Sequence, residues 1–175
     1  VTAFHPQCGS LESRQNLRSV SSAMAQHSML DSGKKIPWFG PEMTGEEMGY
    51  LRDAIDRNYV NDGPLSRKFE REIAKLCNVE HAVAVSNGTS AIALALMACG
   101  VGPGDEVIVP DFTFIATANA ARLAGATVVL ADVDPHRMTI SVETVEPLVT
   151  SRTKAVVPVD VNGRAADYRG LEKFC

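Results

Sequence analysis

Ala82-Val-Ala-Val-Ser-Asn-Gly-Thr-Ser-Ala-Ile-Ala-Leu-Ala-Leu96 decides the fold class of this chain. Its apolar first half reads as a strand, Ala82–Val85. A tight turn, Ser86-Asn87-Gly88-Thr89, follows, and Ser90–Cys99 reads as a helix. Such a junction can hold a phosphate. Gly88 is expected to turn the backbone sharply and to let a ligand come close. Thr89 and Ser90 are expected to cap the helix with their hydroxyls. The unpaired N–H groups and the positive end of the helix dipole then face an anion.

The pattern repeats toward the C-terminus. Strands are expected at Glu106–Val109, Thr127–Leu130 and Lys154–Val159. Helices are expected at Phe114–Leu123, Val142–Val149 and Asp167–Phe174. The strands are short valine-rich runs, which suits strands buried on both faces of a sheet. Strand–helix alternation at this spacing predicts an α/β fold with a mostly parallel sheet. Ligands of such sheets lie beyond the carboxyl ends of the strands. The Ser86–Thr89, Pro110–Phe114 and Val159–Gly163 loops are therefore expected to converge on one site.

Upstream, Thr44-Gly-Glu-Glu47 has capping-box spacing and predicts a helix opening at Thr44. Met48, Leu51, Ile55 and Tyr59 continue it near helical spacing. Asn61-Asp62-Gly63-Pro64 is a turn signal, and a second helix is expected from about Leu65 to Cys77. Residues 1–35 are rich in serine and glutamine and lack an apolar period. They read as a disordered or non-native leader, with residues 36–175 as the ordered part. Both ends suggest a fragment: the chain starts at Val1 and stops at Cys175 inside an expected helix.

Composition narrows the function classes. Seventeen basic against 21 acidic side chains give a net charge of −4, with no basic cluster for nucleic acid. The longest apolar stretch, around Ala91–Cys99, is too short to span a bilayer. Cys8, Cys77, Cys99 and Cys175 match neither zinc-ligand spacing nor a disulfide framework, so free thiols in a reducing compartment, the cytoplasm, are expected. His5, His27, His81 and His136 form no metal-like spacing.

Each remaining motif has a plain structural reading beside the functional one. Gly100-Val-Gly102-Pro-Gly104 follows a helix and precedes a strand, the reverse of a dinucleotide fingerprint, and reads as a helix stop. The Ser86–Ser90 turn lacks the Gly-Lys-Ser/Thr of a nucleoside-triphosphate loop. That leaves the phosphate of a smaller cofactor, or ordinary structure. Phe112 and Phe114 sit at a strand end, where a ring can stack on a planar cofactor or simply fill core. Asp160 ends a strand, either to meet a ligand or as a solvated loop acid. Asp132 and Asp134 suit turn or capping roles.

Taken in order, several blocks resemble one family. They are Tyr59-Val-Asn-Asp-Gly-Pro64, Phe69-Glu70, Ser86-Asn-Gly-Thr-Ser90, Gly102-Pro-Gly-Asp-Glu-Val-Ile-Val-Pro110 and Thr113-Phe-Ile-Ala-Thr-Ala-Asn119. Gly125-Ala-Thr-Val-Val-Leu-Ala-Asp-Val-Asp134, Thr153-Lys-Ala-Val-Val-Pro158 and Gly163-Arg-Ala-Ala-Asp167 complete the series. From Ile36 to Cys175 the chain resembles the DegT/DnrJ/EryC1/StrS family of pyridoxal-phosphate (PLP)-dependent nucleotide-sugar aminotransferases, and within it the perosamine-synthase type.

The resemblance implies an aspartate-aminotransferase-like, fold type I large domain, of which this chain is the N-terminal part. It implies pyridoxal 5'-phosphate as cofactor, with Gly88, Thr89 and Ser90 at its phosphate and Phe114 stacked on its ring. It also implies a nucleotide-linked keto-sugar substrate, glutamate as amino donor and a homodimer. The loop after Val159 would border cofactor and sugar, although many relatives carry His where this chain has Asp160. The Schiff-base lysine and the aspartate at the pyridine nitrogen are expected beyond Cys175. Lys34, Lys35, Lys68, Lys75, Lys154 and Lys173 do not match the lysine motif, so no catalytic residue is assigned and the fragment alone is expected to be inactive. The alternatives are a sugar dehydratase of the same family, a non-catalytic sensory or binding protein, and a fragment without function.

Overall fold

The computed structural model describes residues 40–59 and 61–175. The expected leader over residues 1–35 lies outside them. The described residues fall into two compact units, 40–84 and 85–175.

The first unit holds two helices, α1 (Glu47–Asp56) and α2 (Pro64–Cys77). α1 opens three residues later than Thr44. The expected reach-back of Glu47 is present: its Oε1 accepts the Thr44 N–H at 2.9 Å and its Oε2 the Gly45 N–H at 2.8 Å. The Thr44 hydroxyl does not cap the helix, because it also donates to Glu47, at 3.1 Å. α2 starts with proline at its first position, where the missing N–H costs nothing. Gly63 before it is required by packing: a Cβ there would lie 2.7 Å from the Tyr59 Cβ.

The expected strand at Ala82–Val85 does not form. Residues 81–85 pair with no strand among the described residues, and Val83 is 78 % exposed. A strand exists only through a ladder partner. Here the Ala84 N–H is taken instead by Glu70 Oε1, at 2.9 Å.

The second unit is a three-layer α/β arrangement. Its elements are α3 (Gly88–Ala98), β1 (Glu106–Pro110), α4 (Ala116–Leu123), β2 (Thr127–Ala131), α5 (Val142–Val145), β3 (Thr153–Val156) and α6 (Tyr168–Phe174). The strands form one parallel sheet in the order β2-β1-β3. The β1–β2 ladder runs in register from Glu106 opposite Thr127 to Pro110 opposite Ala131. The β1–β3 ladder slips by one residue at Lys154.

β1 is central and buried along its whole length, and its side chains alternate between two cores. Val107 and Val109 join Leu96 of α3, Ala121 and Ala124 of the α4 region, and Val157. Ile108 points the other way, to Ile140, Val145 of α5, Val156 and Leu171 of α6. Thus α3 and α4 cover one face and α5 and α6 the other.

Several boundaries moved for local reasons. α5 stops at Val145 and continues only as a 3₁₀ turn, Glu146–Leu148, because Pro147 has no N–H to extend an α-helix. α4 begins at Ala116, two residues after Phe114. β3 ends at Val156, although Val157 still donates to the Ile108 carbonyl at 2.9 Å. Among the described residues no helix is long and apolar enough to cross a membrane.

Candidate functional site

The strand order places the site. The chain leaves β1 into α4 on one face of the sheet and leaves β3 into α6 on the other. Neighbouring strands whose outgoing connections part to opposite faces leave a crevice beyond their carboxyl ends. The loops that flank it are Asp111–Ile115 after β1 and Val157–Gly163 after β3.

α3 brings the third loop to the same edge. Its last turn leads through residues 99–105 to the amino end of β1, and Leu96 packs in the β1 core. Eleven helical residues span about 16 Å, and five strand residues span about the same length. The amino end of α3 therefore lies level with the carboxyl end of β1.

The α3 N-terminus is capped by a residue that sequence reasoning missed. Asn87, in extended conformation, accepts the Ser90 N–H on its Oδ1 at 2.9 Å and the Ser90 hydroxyl at 3.2 Å. Asparagine is among the best N-caps, and its place before Gly-Thr-Ser was the available signal. Thr89 and Ser90 do not cap, because they already lie inside the helix. Ser90 spends both of its donors on Asn87. The first backbone helix bond is Ala91 N–H to the Asn87 carbonyl. The N–H groups of Gly88 and Thr89 and the Thr89 hydroxyl thus have no acceptor among the described residues.

Nothing among the described residues explains Gly88. Its φ lies outside the left-handed region, so no sharp turn demands glycine, and a Cβ built on it would meet nothing within 4 Å. The bare backbone opens onto space rather than onto a neighbouring side chain.

Phe114 is 78 % exposed, Ile115 62 % and Phe112 44 %. The core-filling reading of the two phenylalanines therefore fails. Beneath them the Thr113 and Thr117 hydroxyls lie 2.9 Å apart, tying the loop to the first turn of α4.

Asp160 is exposed but not idle. Its Oδ1 accepts the Ala166 N–H and the Tyr168 phenol, each at 2.9 Å. Between them Val161–Arg164 turns back on itself, with Asn162 at φ 52° and Gly163 at φ 78°, as a two-residue hairpin turn requires. Asp134 serves the turn role expected of it. It accepts the Arg137 and His136 N–H groups, which hold its carboxyl below the usual range.

Another carboxylate, missed in the sequence, lies at the opposite edge of the sheet. Glu106 is only 6 % exposed and bonds the Thr150 hydroxyl at 2.5 Å and the Arg152 guanidinium. Thr150 first, then Arg152, keep its carboxyl below the usual range. At the amino end of β1 it fastens the sheet and has no place in the crevice.

Comparison with known proteins identifies the family. The model of the DegT/DnrJ/EryC1/StrS aminotransferase family matches residues 41–175. A GDP-perosamine synthase of Caulobacter vibrioides is 44 % identical over 134 residues, 76 % of this chain and 36 % of its own length. One from Vibrio cholerae is 41 % identical over 141 residues, 80 % of this chain and 38 % of its own. Among solved structures, a sugar aminotransferase of Streptococcus pneumoniae in its PLP form gives a TM-score of 0.74 at 30 % identity. It covers 80 % of this chain and 36 % of its own. A 3-amino-5-hydroxybenzoic acid synthase gives 0.71 at 41 % identity, covering 79 % of this chain and 37 % of its own. The chain spans a little over a third of the length of these relatives. Its fold is the aspartate-aminotransferase-like fold type I, as the resemblance implied. The chain belongs to the DegT/DnrJ/EryC1/StrS aminotransferase family.

Proposed function

We propose that residues 36–175 form the N-terminal part of the large domain of a PLP-dependent aminotransferase. It moves an amino group, with glutamate as donor, to a keto-sugar carried on a nucleotide. The observation that carries this reading is the amino end of α3: donors without acceptors, beside a glycine that neither backbone nor packing requires.

The residues fit the cofactor. A phosphate needs N–H and O–H donors at a helix N-terminus, and Gly88 and Thr89 supply them. Ser90 contributes indirectly, by locking Asn87 as the cap. The absent Cβ at Gly88 lets the phosphate come close to the backbone. Phe114, exposed at the carboxyl edge of β1, offers a flat face for a planar ring. Bound PLP supplies the electron sink for amino transfer. The part of this chain is to hold it: phosphate fixed by backbone donors, ring covered on one side by Phe114. No lysine here is assigned a proton-transfer role.

The relatives named above support a nucleotide-linked sugar as substrate, and GDP-perosamine is the first compound to test. A homodimer and a cytoplasmic location belong to the same proposal. Cys77, Cys99 and Cys175 are free thiols, which agrees with a reducing compartment.

The test uses the full-length protein loaded with PLP. Glutamate should shift the absorbance of the bound cofactor, and GDP-perosamine should shift it the same way. Retention of PLP with no response to any amino donor would favour the dehydratase reading. Failure to retain PLP would remove the enzyme reading altogether.

A further inference from the structure

Asp160 is held more tightly than a loop acid needs to be, and it is only half used. Oδ1 takes both donors, the buried Ala166 N–H and the half-buried Tyr168 phenol. Oδ2 accepts no hydrogen bond among the described residues, and no cation there pairs with the carboxylate. The residue lies in the loop that leaves the carboxyl end of β3, four residues after Val156. Two further devices fix its surroundings: the hairpin turn at Asn162-Gly163, and the Asp167 side chain, which caps α6 by accepting the Gly170 N–H at 3.1 Å.

A carboxylate with one oxygen immobilised and the other open is a preorganised acceptor. Its charge selects what it can accept from. A dicarboxylate such as glutamate is repelled by a second fixed anion at short range. A neutral hydroxyl is not, and it meets an anionic oxygen with a charge-assisted hydrogen bond. Asp160 belongs to the loop after β3 and Phe114 to the loop after the neighbouring strand β1, while the phosphate donors belong to α3.

We propose that Asp160 is a specificity-determining residue, its Oδ2 accepting a hydroxyl hydrogen of the sugar, with Tyr168 as the positioning residue that aims it. This rests on the aminotransferase reading above and names the side of the site that reads the sugar. Asp160→Asn keeps an oxygen for Ala166 and Tyr168 but turns the open acceptor into an NH₂ donor. Tyr168→Phe leaves the charge and removes the restraint.

The experiment measures both half-reactions of the full-length, PLP-loaded protein by cofactor absorbance, with GDP-perosamine and with glutamate as amino donors. The readout is the ratio of the two kcat/KM values. Asp160→Asn should lower the GDP-perosamine-to-glutamate ratio at least tenfold, mainly through KM for the sugar. Tyr168→Phe should lower it by a smaller factor. A ratio within twofold of the parent in Asp160→Asn overturns the assignment, and so does an equal loss of both half-reactions, which marks a purely structural role. Failure of the parent protein to convert either donor is a different result. It refutes the aminotransferase reading, and this assignment falls with it.

Discussion

Gly88→Ala separates what the fold needs from what the ligand needs. Inside the protein the substitution is harmless: the φ of Gly88 suits any residue, and the new Cβ meets nothing within 4 Å. Replacing glycine at such a position removes freedom from the unfolded chain and stabilises by about 0.4–1 kcal/mol. If the PLP phosphate packs against the bare backbone, the same methyl group must displace it. Overpacking a tight contact costs about 1–3 kcal/mol, which is a ~5- to 150-fold rise in Kd. Gly88→Asp adds charge to this. A carboxylate about 6 Å from a phosphate dianion is repelled by about 1–5 kcal/mol for effective dielectric constants from 80 down to 20. Without ligand, the same aspartate is favourable in the first turn of α3, by about 0.3–1 kcal/mol through the helix dipole. Stability and affinity should therefore move in opposite directions. The assay is PLP titration of the cofactor-free full-length protein by absorbance, beside its thermal midpoint. Both variants should melt no lower than the parent, with the alanine variant binding PLP more weakly and the aspartate variant more weakly still. PLP affinity within twofold of the parent in both would refute the phosphate site. A fall in melting temperature would refute the claim that Gly88 is free of internal constraint.

Three further outcomes follow from other parts of the structure. Phe114→Ala should weaken PLP binding ~2- to 12-fold, the worth of one aromatic contact at about 0.5–1.5 kcal/mol. It should leave the thermal midpoint unchanged, since the ring is 78 % exposed, and a large loss of stability would return Phe114 to the core. Leu96→Ala removes a side chain with no exposure from the β1 core and should cost about 2–5 kcal/mol in denaturant unfolding; less than about 1 would mean that core is not packed as described. The Glu47 carboxyl is pulled down to about 2, first by the Thr44 N–H, then by backbone donors at its own position and at Gly45. A carboxyl depressed in the folded state stabilises above its ordinary range, and that contribution is lost as pH falls from about 4.5 toward 2. Glu47→Gln should thus lower amide-exchange protection of α1 at pH 7 and match the parent near pH 2; equal protection at pH 7 would refute the role of the contact.

The alternation of short valine runs with helices was legible because a doubly covered parallel strand has no polar face to hide. Val107, Ile108 and Val109 are all fully buried, on alternate sides. Pair-specific features were not legible. Glu106 reads as a polar lead-in to a strand until Thr150 and Arg152, 44 and 46 residues away, are brought to it. Ala82–Val85 has every local property of a strand and fails for want of a partner, which no local property reports. The helical spacing after Ser141 continues past Pro147, whose missing N–H is the local signal that ends the α-helix. Strand order is a further case: nothing local in the sequence says that β3 joins the free side of β1 rather than that of β2, yet this choice creates the crevice.

The candidate site gathers several places where local rules fail without compensation among the described residues. A glycine that turns no corner, a phenylalanine held in water and a carboxylate fixed by two donors with one oxygen idle are each more than the described fold requires. Consistency between local preference and global fold is the normal condition of a natural sequence, and its breach marks function. A chain selected only to fold would place alanine at 88 and a polar residue at 114. The three exceptions occur at the amino end of α3 and on the loops after β1 and β3, and the ion pair of buried Glu106 with Arg152, which only fastens structure, sits at the amino end of β1. The same separation predicts how damage divides: substitutions at the carboxyl edge change ligand affinity at constant stability, and substitutions around Glu106 and Leu96 change stability first and affinity only through it.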